Sequence, residues 1–189
     1  MACKKQGQMK GIKLGAILLV LLCMAQSVYA LEIFLKPGMN IYSDSIGIDA
    51  GLGVRTEFKN ILGIFGINME NPYLFTGAGA YFSYADTEFI YALNAAVCVD
   101  FGYDFVLPIL DNRLAVAPVL GVGFSYGRIE DSRYGFSDNY GLFLYPRAEA
   151  TFAVIPSLKT GISVGYPMAI YANFISNIEV GLFVSYSFK

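Results

Sequence analysis

From residue 31 onward, apolar residues alternate with polar or small ones through one segment after another. The clearest case closes the chain. Ile178, Val180, Leu182, Val184, Tyr186 and Phe188 form an unbroken apolar row, with Asn177, Glu179, Gly181, Phe183, Ser185 and Ser187 between them. A period of two over that length belongs to a strand with one apolar and one mostly polar face. The same period runs through residues 31–39, 46–58, 73–85, 91–107, 114–126, 140–154 and 158–170. In 114–126, for example, Leu114, Val116, Leu120, Val122, Phe124 and Tyr126 oppose Ala115, Ala117, Gly121, Gly123 and Ser125. The pattern therefore predicts about eight strands, with tight turns at 110–112 and 156–157 and a longer polar loop over 130–139. Residues 59–72 resist the scheme: they are too apolar for a routine turn. They are expected either to extend the neighbouring strands, the preferred register, or to form a strand that leaves 31–39 outside.

Composition sharpens this picture. The chain is 56% hydrophobic but only 15% charged, whereas a soluble domain is about 25% charged. After residue 30 no helix-length apolar run remains, so the apolar residues must face something other than water while staying in alternation. A closed transmembrane sheet meets both conditions, because it pairs every backbone group and presents its apolar row to lipid. A lipocalin-like barrel has the same period with the apolar row inside around a ligand. Two features favour lipid outside. The polar row is crowded with Gly, Ala and Ser, which suits a narrow packed interior. Aromatics of the apolar row (Tyr91 and Phe105, Tyr140 and Phe152, Tyr186 and Phe188) sit near strand ends, where interfacial girdles form.

The first thirty residues read as a signal peptide. Lys4, Lys5, Lys10 and Lys13 precede an apolar core over 14–24, and Val28-Tyr29-Ala30 supplies a cleavage site between Ala30 and Leu31. Residues 31–189 then form one domain. The apolar core is shorter than the ~20 residues of a spanning helix. Removing the leader leaves nine basic against fifteen acidic residues, a balance that argues against nucleic acid as a partner. Cys3 and Cys23 leave with it, so Cys98 has no partner for an intramolecular disulfide.

Glu179, Gly181, Val184 and Tyr186, with Phe188 at the penultimate position, resemble the C-terminal signal of bacterial outer-membrane β-barrels, with Lys189 as a departure at the last position. In pattern, residues 31–188 resemble the small eight-stranded barrels of the OmpA-domain, OmpX and OmpW types. The resemblance implies an all-β, antiparallel, up-and-down transmembrane barrel in the bacterial outer membrane, inserted by the barrel-assembly machinery that reads the last strand. It also implies membrane anchoring, contact with a host surface ligand, or passage of a small solute. With the C-terminus in the periplasm, residues 43–45, 85–89, 130–139 and 172–176 face outward.

If lipid is outside, Glu32, Lys36, Asp49, Arg55, Glu57, Asp100, Asp104, Arg113, Arg147, Glu149, Lys159 and Glu179 line the lumen. Both signs are present, as buried charges require. An eight-stranded barrel is just wide enough for its own side chains, so a salt-bridged plug is favoured over an OmpW-like polar path for a small solute. Arg133, Tyr134 and Phe136 in the long loop are candidate contacts for a surface partner. The chain contains no His, which removes the commonest general base and metal ligand. Neither a phosphate-binding loop nor a nucleophile elbow occurs, since the glycines follow the strand period. A non-enzyme without cofactor or metal is expected.

Overall fold

The computed structural model describes residues 31–42, 46–64, 66–67, 71–86, 90–131, 135–170 and 174–188. The leader and Ala30 lie outside the described residues; Leu31 opens the first strand. The strand segments are β1 (Leu31–Ile41), β2 (Ile46–Glu57), β3 (Leu74–Asp86), β4 (Ile90–Tyr103), β5 (Phe105–Leu107), β6 (Leu114–Asp131), β7 (Gly135–Ile155), β8 (Leu158–Gly165), β9 (Met168–Ile170), β10 (Phe174–Ser176) and β11 (Ile178–Phe188). Three pairs of segments continue one another across short interruptions: β4 and β5 at Asp104, β8 and β9 at Tyr166 and Pro167, and β10 and β11 at Asn177. The result is a ring of eight antiparallel staves. Successive staves pair in chain order, and β11 returns to β1 from Leu31↔Phe188 to Ile41↔Ile178. The seam leaves no exposed edge along those strands, so their backbone groups need no water.

The alternation read from the sequence becomes inside and outside. Along β11, Leu182 is 61% exposed while Phe183 beside it is 1% exposed. Ile33, Leu35, Leu52, Val97, Leu120, Ile162 and Val164 continue the exposed aliphatic belt around the ring. So large an apolar surface is a liability in water and suits hydrocarbon. Aromatic pairs mark its two borders. Tyr186 and Phe188 (5.0 Å between ring centroids) and Tyr103 and Phe105 (4.7 Å) stand at the rim of the chain ends. Tyr84 and Tyr91 (5.3 Å) and Tyr126 and Tyr140 (5.1 Å) stand at the opposite rim.

Three expectations are corrected. The described residues of 59–72 (59–64, 66–67 and 71–72) neither extend the strands nor form one of their own, and β1 is paired on both sides within the barrel. Instead α1 (Phe58–Ile64) follows β2 directly. Phe58, Ile61 and Leu62 recur at helical spacing, and Phe58 packs edge-on against lipid-facing Phe101 at 6.3 Å. This apolar segment thus lies against the outer wall rather than in the sheet. Residues 130–139 are largely strand: β6 and β7 stay in register from Leu114↔Phe152 up to Asp131↔Gly135. Cross-strand pairing, including the Tyr126 hydroxyl donating to Asp138 at 2.8 Å, outweighs the turn-like composition. Finally, β3 runs on to Asp86, two residues into the 85–89 segment expected as an outer loop.

Within the tight turn after β5, Leu110, Asp111 and Asn112 have φ of 52°, 55° and 59°. Asp and Asn tolerate this left-handed region, whereas Leu occupies it at a cost.

Candidate functional site: the closed lumen and its open mouth

The inward faces meet at the barrel axis, where glycine makes the room. Gly51 and Gly79 lie beneath the Tyr81 ring, and a Cβ at either would approach within 2.8 Å of it. A Cβ at Gly53 would approach the Phe34 ring to 2.6 Å. These glycines of the polar row are therefore sockets for large side chains, from a neighbouring stave at Gly51 and Gly53 and from their own at Gly79.

Those side chains form a charged knot wrapped in rings. Arg55 donates twice to Glu149, at 2.7 Å to each carboxylate oxygen. β2 and β7 stand on opposite sides of the ring of staves, so this one pair crosses the full lumen. Arg147 donates to both oxygens of Asp100, at 3.1 and 2.6 Å, and through Nε to Glu149 at 2.8 Å. The Tyr81 hydroxyl donates to Asp100 at 3.0 Å, and the Cys98 thiol does so at 3.3 Å. The Arg147 and Asp100 side chains are 0% exposed. Bidentate geometry and complete partnering are what let buried ions offset their desolvation. Phe34, Phe75 and Phe183 face the Arg55 guanidinium at 4.5, 4.9 and 4.7 Å, and Tyr145 faces that of Arg147 at 4.8 Å.

A second group lies beside the knot. The Lys36 ammonium pairs with Glu179 and touches the Tyr145 hydroxyl, which itself donates to Glu179. Toward the rim of the chain ends, Lys159 pairs with Glu32 at 3.0 Å, with half-buried Asp104 nearby.

The structure thus brings together Lys36, Arg55, Asp100, Arg147, Glu149 and Glu179, with Glu32, Asp104 and Lys159 below them. One of the lumen expectations falls elsewhere: Arg113 is exposed at the end of the tight turn. Glu57 lies opposite inward-facing Phe75 at the rim of the chain ends, where it pairs at 2.6 Å with the partly exposed Lys59 of α1. Asp49 lines the lumen near the far mouth. In the C-terminal motif, Glu179 and Gly181 point inward while Val184, Tyr186 and Phe188 point out. Arg133 and Tyr134 lie outside the described residues; the Phe136 backbone is paired with Glu130.

The aromatic half of the plug was missed from the sequence. Phe34, Phe75, Tyr81, Phe143, Tyr145 and Phe183 are all buried. Their parity is the available signal, since Phe34, Tyr145 and Phe183 share a row with the charges.

The knot does not reach the far rim. Above it a small open vestibule of about 60 Å³ is bounded by Asn40, Asp49, Tyr81, Phe143, Ala169, Asn177 and Glu179, among others.

A closed ring of eight antiparallel staves, apolar outside and charged within, defines the architecture of the small outer-membrane β-barrels. The chain is similar to the crystal structure of Neisserial surface protein A: TM-score 0.53, 13% identity, covering 84% of this chain and 96% of that one. It is similar likewise to a major outer membrane protein from Thermus thermophilus: TM-score 0.51, 15% identity, covering 84% and 99%. At these identities the likeness is one of fold. No protein-family model matches the sequence, and no curated protein matches it.

Proposed function

We propose that the protein is a non-catalytic, surface-exposed barrel of the outer membrane whose lumen is plugged by its own side chains. The observation that carries this reading is the Arg55–Glu149 pair, which spans the lumen between opposite staves and is locked from the side by Arg147. A solute on the axis would have to break a fully desolvated ion network, a step costing several kcal/mol. The contact surface is the raised β6–β7 hairpin. Among the described residues, the pairing of β7 with β9 ends at Leu142↔Ile170, while the pairing of β7 with β6 continues out to Asp131↔Gly135. A projecting hairpin carrying Tyr140, 77% exposed, suits contact with a partner at the cell surface. The bilayer is the constant partner of the belt, and the outward Val184, Tyr186 and Phe188 offer the assembly machinery its contact.

The test is conductance of the folded barrel in a planar bilayer. The plugged reading expects a flat baseline for the native chain and resolved steps for the Arg55→Ala, Glu149→Ala double variant. Steady native conductance would make the protein a narrow channel instead.

A further inference from the structure

The vestibule above the plug has a chemistry of its own. Asn40 is 1% exposed, lines the cavity, and its Oδ1 accepts no hydrogen bond. Both carboxylate oxygens of Asp49 are also buried and unmatched. Strand register explains the grouping: Asp49 lies opposite Gly38, and Asn40 lies opposite Glu179. A Cβ at Gly38 would come within 2.3 Å of Asp49 Oδ1, so the carboxylate rests on bare backbone. The neighbouring Glu179 is already engaged by Lys36 and Tyr145. Two carboxylates thus share one ammonium, and a single negative charge is left over beside unmatched acceptors. Burying such groups without partners is costly, so the site is built for something that brings donors and a positive charge.

We infer that the vestibule binds a primary alkylammonium group. Such a group carries one charge and three N–H donors, and the unmatched acceptors are Asn40 Oδ1 and the two oxygens of Asp49. The remaining lining suits the alkyl chain and the cation face: Phe143 and Tyr81 are aromatic walls, and Ala92 and Ala169 are aliphatic. A hard divalent ion is a poorer fit. It would take six or more oxygens with several carboxylates among them, and among the described residues no group of three or more metal-ligating side chains is present. The inference needs a closed barrel but not a tight plug, so it stands apart from the conductance result.

The experiment is an NMR titration of the folded mature barrel in micelles at about pH 8, where free carboxyls are ionised. The probe is n-butylammonium chloride, and the amides of Asn40, Asp49 and Glu179 are followed. Saturable shifts confined to these residues and their neighbours are expected. Asp49→Asn and Asn40→Leu should each weaken binding by about tenfold or more, since each removes a charge-assisted acceptor. Tetramethylammonium, which has the charge but no N–H donor, should bind more weakly. The proposal is overturned if no saturable shift appears, as when Asp49 and Glu179 satisfy each other by sharing a proton. It is equally overturned if the variants bind like the native chain, or if tetramethylammonium or calcium binds as well as the probe. Should Asp49→Asn fail to fold, Asn40→Leu carries the same decision.

Discussion

Two levels of one lumen treat charge in opposite ways. At mid-height every carboxylate oxygen of Asp100 and Glu149 accepts from a guanidinium of Arg55 or Arg147, and neither Asp100 nor Arg147 has exposed side-chain surface. A few residues nearer the far rim, Asp49 and Asn40 keep buried acceptors with no partner. The strands are the same and both levels are narrow. The difference lies in the supply of cations, two guanidiniums in the knot against one shared ammonium at the mouth. The knot ties opposite staves together across the lumen, whereas the acceptors at the mouth stand without donors.

The comparison can be broken most severely at Arg147. Arg147→Ala leaves Asp100 and Glu149 short of a partner inside the barrel and should cost about 3–5 kcal/mol, read as a fall in the urea midpoint of the barrel folded in lipid vesicles. Next is a charge on the outer face at mid-strand. Leu182→Arg should cost about 2–4 kcal/mol in the same assay; no cost would mean the belt does not meet hydrocarbon. Asp100→Asn, which keeps the shape but weakens the Arg147 pairing, should cost about 2–3 kcal/mol. Gly79→Ala pushes the Tyr81 ring off its socket and away from Asp100. It should cost about 1–3 kcal/mol, and the accompanying loss of near-ultraviolet tyrosine dichroism would locate the damage. At the mouth the sign reverses: Asp49→Asn removes a buried charge that lacks a donor and should raise stability, by about 1 kcal/mol. Equal costs at Asp100 and Asp49 would abolish the distinction between the two levels.

What the sequence disclosed follows from the period of two. Alternation is a local property of a strand, so the staves, their inner and outer rows, and the even count were legible from residues such as those of 178–188. The contacts inside were not, because they join residues distant in sequence. Nothing near Arg55 announces Glu149, and nothing near Gly51 announces that its missing side chain helps seat Tyr81, thirty residues on. Helix α1 was hidden for a different reason. Phe58 continues the strand period of β2 while beginning the helical spacing completed by Ile61 and Leu62, so both readings fit one short apolar run. The 130–139 segment misled through composition: Asp, Ser and Gly favour turns, but pairing with a facing strand decides. Arg113 was assigned inward because a basic residue beside an apolar strand resembles the lumen row, yet the left-handed turn before it ends on the open rim.

The pairing of β1 with β11 has a consequence for biogenesis. Every other neighbouring pair of staves joins segments adjacent in sequence, and such hairpins can form early. The seam joins the first strand to the last, so its loop-closure entropy is the largest in the molecule and is met only when the other staves are aligned. Until that moment β1 keeps one bare border, with the Lys36 ammonium still lacking Glu179. Insertion and sealing are thereby coupled: the barrel cannot be finished until β11, made after every other stave, has reached β1.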